Sequence, residues 1–91
     1  MKKQNPQFER WQLANEIALE MKKIEVLIME NTELRRQLLS SKNIFTNEKL
    51  NELLEKVNSN ITELQSALII EEKTLEDVER QMFQNFSRVV N

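Results

Sequence analysis

From Leu50 to Val89 a set of positions recurs at alternating spacings of four and three: Leu50, Leu54, Val57, Ile61, Leu64, Leu68, Glu71, Leu75, Val78, Met82, Asn85 and Val89. Only Glu71 and Asn85 interrupt its apolar character, and the phase never slips. A 3.5-residue repeat held this long lays one straight apolar seam along a helix, and such a seam demands a partner helix. At 1.5 Å of rise per residue the helix is roughly 60 Å long, too long to bury itself in a small globule. A coiled coil or helical bundle follows.

The first half of the chain is helical in a different way. Asn5 followed by Pro6 is a start signal, because asparagine caps well and proline at the first helical position gives up only an N–H that has no partner there. Phe8, Trp11, Leu13, Ala14, Ile17, Ala18, Met21, Ile24, Leu27, Ile28, Leu34 and Leu38 then recur at helical spacing. The best single seam through them is Leu13, Ile17, Glu20, Ile24, Leu27, Asn31, Leu34 and Leu38. The whole set is wider than one seam, as expected for a helix in a bundle.

Between the two helices, Ser40-Ser41-Lys42-Asn43-Ile44-Phe45-Thr46 gathers residues that hold a helix poorly. Thr46 reads as the next N-cap, with Glu48 in the first turn, where the helix dipole favours an acid. Phe45 and Leu50 fit a hydrophobic staple, although Lys49 stands where a capping box wants Glu or Gln. The sequence therefore predicts one helical-hairpin domain over 1–91: a first helix over about 6–40, a loop over about 41–46 and a second helix over about 47–89. Asn58-Ser59-Asn60 is a weaker point, but the heptad runs through it in phase.

A short loop makes the helices antiparallel neighbours. Folding about it sets side by side residues whose numbers sum to roughly 87, within about a turn. Charge points the same way: residues 1–45 carry eight Lys/Arg against six Glu, and residues 46–91 carry five against nine. The hairpin brings Lys2, Lys3 and Arg10 towards Glu71, Glu72, Glu76, Asp77 and Glu79. The rival, a parallel dimer of extended helices, stacks acidic segments on each other.

Composition removes most chemistry. The 91 residues include no glycine, cysteine or histidine, and one proline. Without glycine there is no P-loop, no dinucleotide fingerprint and no calcium-loop turn. Without histidine and cysteine there is no conventional triad, thiolate nucleophile, usual zinc site or Glu-x-x-His di-iron motif. The expectation is a non-enzyme with no cofactor and no metal. No apolar run is long enough to span a bilayer, and the basic start has no apolar run behind it, so neither a membrane span nor a signal peptide is expected. Lack of cysteine makes cytoplasmic residence the default.

Lys22-Lys23 and Arg35-Arg36 are the candidate phosphate contacts, but Glu20, Glu25, Glu30 and Glu33 surround them as on a solvated helix face. No aromatic platform or zipper-type basic run accompanies them, and the net charge is −2. Nucleic acid is therefore not the expected partner. Glu20 and Glu71 sit in the two seams at similar heights. They read either as an ion- or proton-sensing layer or as stems along the seam edge with their heads in water, the second being preferred. Asn31 is the polar seam residue expected to set register or oligomer state.

Apolar residues that miss the seams are the most informative. Leu19, Val26 and Met29 on the first helix, and Leu53, Ile69 and Ile70 on the second, are expected to be exposed on a lone hairpin, in a patch larger than a soluble monomer tolerates. Two hairpins associating into a four-helix bundle, or another protein's helix, could cover them. Phe83 and Phe86 either cap the core against Phe8 and Trp11 or anchor a partner. The expected architecture is all-α: an antiparallel two-helix coiled-coil hairpin, dimerising into a four-helix bundle. The expected role is a non-catalytic adaptor, assembly factor or chaperone-like protein that holds partner helices. The alternative is a transcription regulator or nucleic-acid-associated helical protein.

Overall fold

The computed structural model describes residues 6–90, with side chains described for residues 8–84. Two helices make up the fold, α1 (Pro6–Ser40, 35 residues) and α2 (Asn47–Val90, 44 residues). They lie antiparallel as a hairpin, with overall extents of 67 × 27 × 15 Å. The Asn5 cap and the Lys2 and Lys3 charges lie outside the described residues.

The connection shows how a chain without glycine turns. The Ser41 amide donates to the Leu38 carbonyl at 3.1 Å, and the Ile44 amide donates to the Ser41 carbonyl at 3.0 Å. Two successive i→i+3 turns thus continue the winding past Ser40, and no described residue has a positive φ. The Ser40 and Ser41 hydroxyls donate back to the Arg36 and Gln37 carbonyls, one turn earlier in the last turns of α1. Thr46 Oγ1 accepts from the Lys49 amide at 3.2 Å, which is an N-cap bond, and Glu48 stands in the first turn of α2. Phe45 packs onto the cluster of Leu38, Leu50, Val57 and Ile61, so the staple is formed.

Every described position of the α2 seam, from Leu50 to Met82, faces inward. On α1 the inward residues are Arg10, Ala14, Ile17, Met21, Ile24, Ile28, Asn31, Arg35 and Leu38, again at alternating three and four. This corrects the seam read from sequence. Ile17, Ile24, Asn31 and Leu38 belong to it, but Leu13, Glu20, Leu27 and Leu34 do not; Ala14, Met21, Ile28 and Arg35 take their places. The three leucines remain 44% exposed, on one flank of the seam.

The turn of the helix suits Glu20. With Leu13, Glu20, Leu27 and Leu34 inward, the Glu20 carboxylate would meet Glu71 in the middle of the seam, where like charges are desolvated together. Turned by one column, α1 leaves Glu20 exposed and admits Arg35 instead. A long arginine stem tolerates that position because its head reaches a polar group at the edge. That group is Asn58, whose Oδ1 accepts from Arg35 at 3.2 Å.

Among the described side chains six apolar ones are buried, Ile17, Leu38, Leu50, Val57, Ile61 and Val78, and none of them is completely enclosed. Leu50→Ala should cost about 2–5 kcal/mol of unfolding free energy, as leucine truncations in packed sites do. Leu39→Ala, at a 46% exposed position, should cost under about 1 kcal/mol, and Thr46→Ala about 1 kcal/mol through loss of its cap. Urea denaturation followed by circular dichroism at fixed chain concentration checks all three.

Candidate interaction surface

Two polar contacts cross between the helices among the described residues. Asn60 Nδ2 donates to Asn31 Oδ1 at 3.4 Å, and Arg35 donates to Asn58 at 3.2 Å. Asn31 is half-buried, and its own Nδ2 donates to the Leu27 carbonyl at 2.8 Å. The backbone bond orients the amide so that its oxygen points across to α2. Both cross-links sit one turn apart on α1. Sequence reasoning identified Asn31 but missed Asn58 and Asn60. Those two read as polar helix surface at a weaker point of the helix, and their signal was that they flank an unbroken heptad on either side of Ser59.

Glu71 is half-buried and Glu20 is exposed beside it. Partial desolvation, and then the facing Glu20 carboxyl, hold the Glu71 carboxyl above its ordinary range. On the opposite side of the ledger, Arg36 grips Glu33 with two hydrogen bonds and holds that carboxyl below its ordinary range. Among the described residues no group of three or more acidic, histidine or cysteine side chains could hold a metal ion. No described helix is long and apolar enough to cross a membrane.

The off-seam apolar residues do not form one patch. Leu19 and Val26 fall on the side of α1 facing away from α2, where with Lys22, Lys23 and Leu27 they line a shallow groove. Met29 is on another part of the α1 surface and is 71% exposed. Ile69 and Ile70 are consecutive, so they point to different sides of the back of α2. Leu53 differs from expectation: it is half-buried against the Leu38–Leu50–Val57–Ile61 cluster. It flanks the seam closely enough to belong to the core.

Phe8 and Trp11 stack on each other, ring centroids 6.0 Å apart, and both stay about half exposed. Phe83 is 72% exposed, so it does not cap the core against them. Phe86 lies outside the described side chains. No protein-family model, no curated protein and no solved structure matches the chain.

Two outcomes follow. Since the folded state raises the Glu71 pKa, folding takes up a proton that the unfolded chain releases. Its contribution is fullest below the ordinary carboxylate range and is lost as pH rises through the raised value. Glu71→Gln should therefore melt higher than the parent at neutral pH, and the difference should shrink as pH falls through the carboxylate range; melting curves from pH 3 to 7 test the sign. Asn31→Leu should raise the melting temperature while broadening the distribution of assembled states. Thermal melts paired with sedimentation velocity show both.

Proposed function

We propose that the chain is a non-catalytic protein-interaction module, a homodimeric adaptor, assembly factor or chaperone-like hairpin of the cytoplasm that holds helices of another protein. The observation that supports this reading is the large apolar surface standing outside the hairpin's own seam. Leu19, Val26, Met29, Ile69, Ile70 and Phe83 are all between 48% and 72% exposed. Singly, exposed apolar side chains are ordinary; long helices studded with them on several faces are suited to other helices.

The groove on the outer side of α1 has the chemistry to take one. Leu19 and Val26 give it an apolar floor, and Lys22 and Lys23 stand at its wall. An amphipathic helix laid there would place its apolar anchors at i, i+3, i+4 and i+7 and an acidic flank beside the lysines. The chain's lack of histidine, cysteine and glycine supports a role that depends on surface shape and not on bond chemistry.

Affinity capture from nuclease-treated lysate tests the reading, with the paired variant Leu19→Glu/Val26→Glu beside the parent chain. Protein partners should survive nuclease and fall about tenfold or more with the variant, since charged groups in an apolar groove remove its anchors. Loss of every partner on nuclease treatment would favour action through nucleic acid. Partners indifferent to the variant would mean that the groove is not where they dock.

A further inference from the structure

The contacts that hold α1 to α2 are not spread evenly along the hairpin. Leu38, Leu50, Val57 and Ile61 form one buried cluster beside the connection, and Phe45, Leu53 and Leu54 pack onto it. Both described polar contacts across the seam, Arg35–Asn58 and Asn31–Asn60, lie in that same half. Towards the free ends only Ile17 and Val78 are buried among the described side chains. The rest of that seam is half-buried, and it includes the small Ala14 and Ala67 and two charged residues, Arg10 and Glu71. Arg35, the charged seam residue near the connection, has a polar partner on the other helix. Glu71 has a second carboxyl instead, that of Glu20.

We propose that the hairpin is a clamp hinged beside its connection: beyond the Asn31–Asn60 contact the two arms part when Glu20 and Glu71 are both charged, and close when one of them holds a proton. Glu20 stands roughly 17 Å along α1 from Asn31, about midway to the free end. Repulsion at that height pushes on the arms well away from the hinge, where little apolar burial opposes it. What parting exposes is apolar: Ile17, Ile24, Leu68, Leu75 and Val78 all face the seam in this half.

The charges around the pair come from both helices. On α1, Glu20 is the charged group that acts on Glu71, and Glu16 and Lys23 lie one turn to either side of it. Lys23 is exposed, and the ion pairs among the described residues do not include it. On α2 the residues one turn from Glu71 are Ala67, Leu68, Thr74 and Leu75, all uncharged; Glu72 and Lys73 follow it in sequence and are exposed. Partial desolvation, and then Glu20, hold the Glu71 carboxyl above its ordinary range. Closed arms therefore bind a proton more readily than parted ones. Closure is favoured below that raised value and lost as pH rises through it. The hinge half has the opposite dependence, since Arg36 holds the Glu33 carboxyl below its ordinary range.

Hydrogen–deuterium exchange of the full chain from about pH 4 to 7, corrected for intrinsic exchange rates, tests the clamp. Parted arms are single helical segments that hold their hydrogen bonds poorly in water, so opening reads as lost amide protection. At pH 7 the amides of residues 12–24 and 68–82 should be about tenfold or more less protected than those of 30–38 and 52–61. The ratio should narrow as pH falls through the carboxylate range. Glu71→Gln should narrow it at pH 7 and remove its pH dependence. Glu79→Gln, at an exposed position of the same arm, should leave both unchanged. Even protection along both helices overturns the hinge and the clamp with it. A free half that stays open in Glu71→Gln, or that responds equally to Glu79→Gln, overturns the gate assigned to Glu20 and Glu71.

Discussion

The fold depends on a limit of geometry: two long helices can cover only one stripe of each other. Among the described residues the α1–α2 seam buries just six apolar side chains, each still touched by solvent. Everything else apolar is left on flanks and backs. In a compact domain a second layer would close over such residues. Here the chain supplies no second layer, so the same stripe that makes the hairpin also leaves it with surface suited to further helices.

Charge plays a smaller part in this arrangement than the distribution of Lys, Arg, Asp and Glu suggests. The ion pairs among the described residues are Arg36–Glu33, Lys49–Glu52 and Arg80–Asp77, all one turn apart within a helix and all well exposed. Pairs of that kind contribute little each. Asp77, expected near Arg10, is met by Arg80 of its own helix at 3.4 Å. Arg10 faces the seam, and its buried Nη1 has no acceptor among the described residues. The uneven charge of the two halves is compatible with the hairpin, but apolar contact and the polar pairs Asn31–Asn60 and Arg35–Asn58 are what join its two sides.

The legible parts of the fold were those where one physical signal acted alone. On α2 the heptad had no rival, and its positions from Leu50 to Met82 face inward as read. At the loop, serines, a β-branched cap and the absence of glycine left few ways to turn, and Thr46 caps as expected. The α1 seam was misread because two overlapping heptads share Ile17, Ile24, Asn31 and Leu38. Counting apolar residues favoured the leucine column, and the deciding factor lay on the other helix. Glu71 makes Glu20 costly in the seam; their similar heights were legible in the sequence, but not that the seam would shift by one column and leave Glu20 at its edge. The candidate surface was legible as a list of residues and not as a layout. Leu53 lies too close to the seam to be free, and Ile69 and Ile70 diverge because neighbours on a helix cannot share a face.

That rejected leucine column is informative in its own right. Selecting Ala14, Met21, Ile28 and Arg35 for the seam in place of Leu13, Glu20, Leu27 and Leu34 gives up leucine contact along the whole helix. The hairpin accepts a half-buried alanine and a half-buried arginine in its seam and leaves three leucines half exposed. For an isolated hairpin this is a poor exchange, since each leucine left half in water forgoes part of the ~1.5–3 kcal/mol that full burial contributes. It becomes a sound one if α1 is flanked on two sides, because the seam residues and the leucine column then meet different neighbours. Glu20 fits that picture as well: at the exposed edge of the seam its carboxyl faces Glu71 without being buried with it. The polar residues of α1 thus occupy different places, Asn31 within the seam bonded to Asn60 across it and Glu20 at its exposed edge.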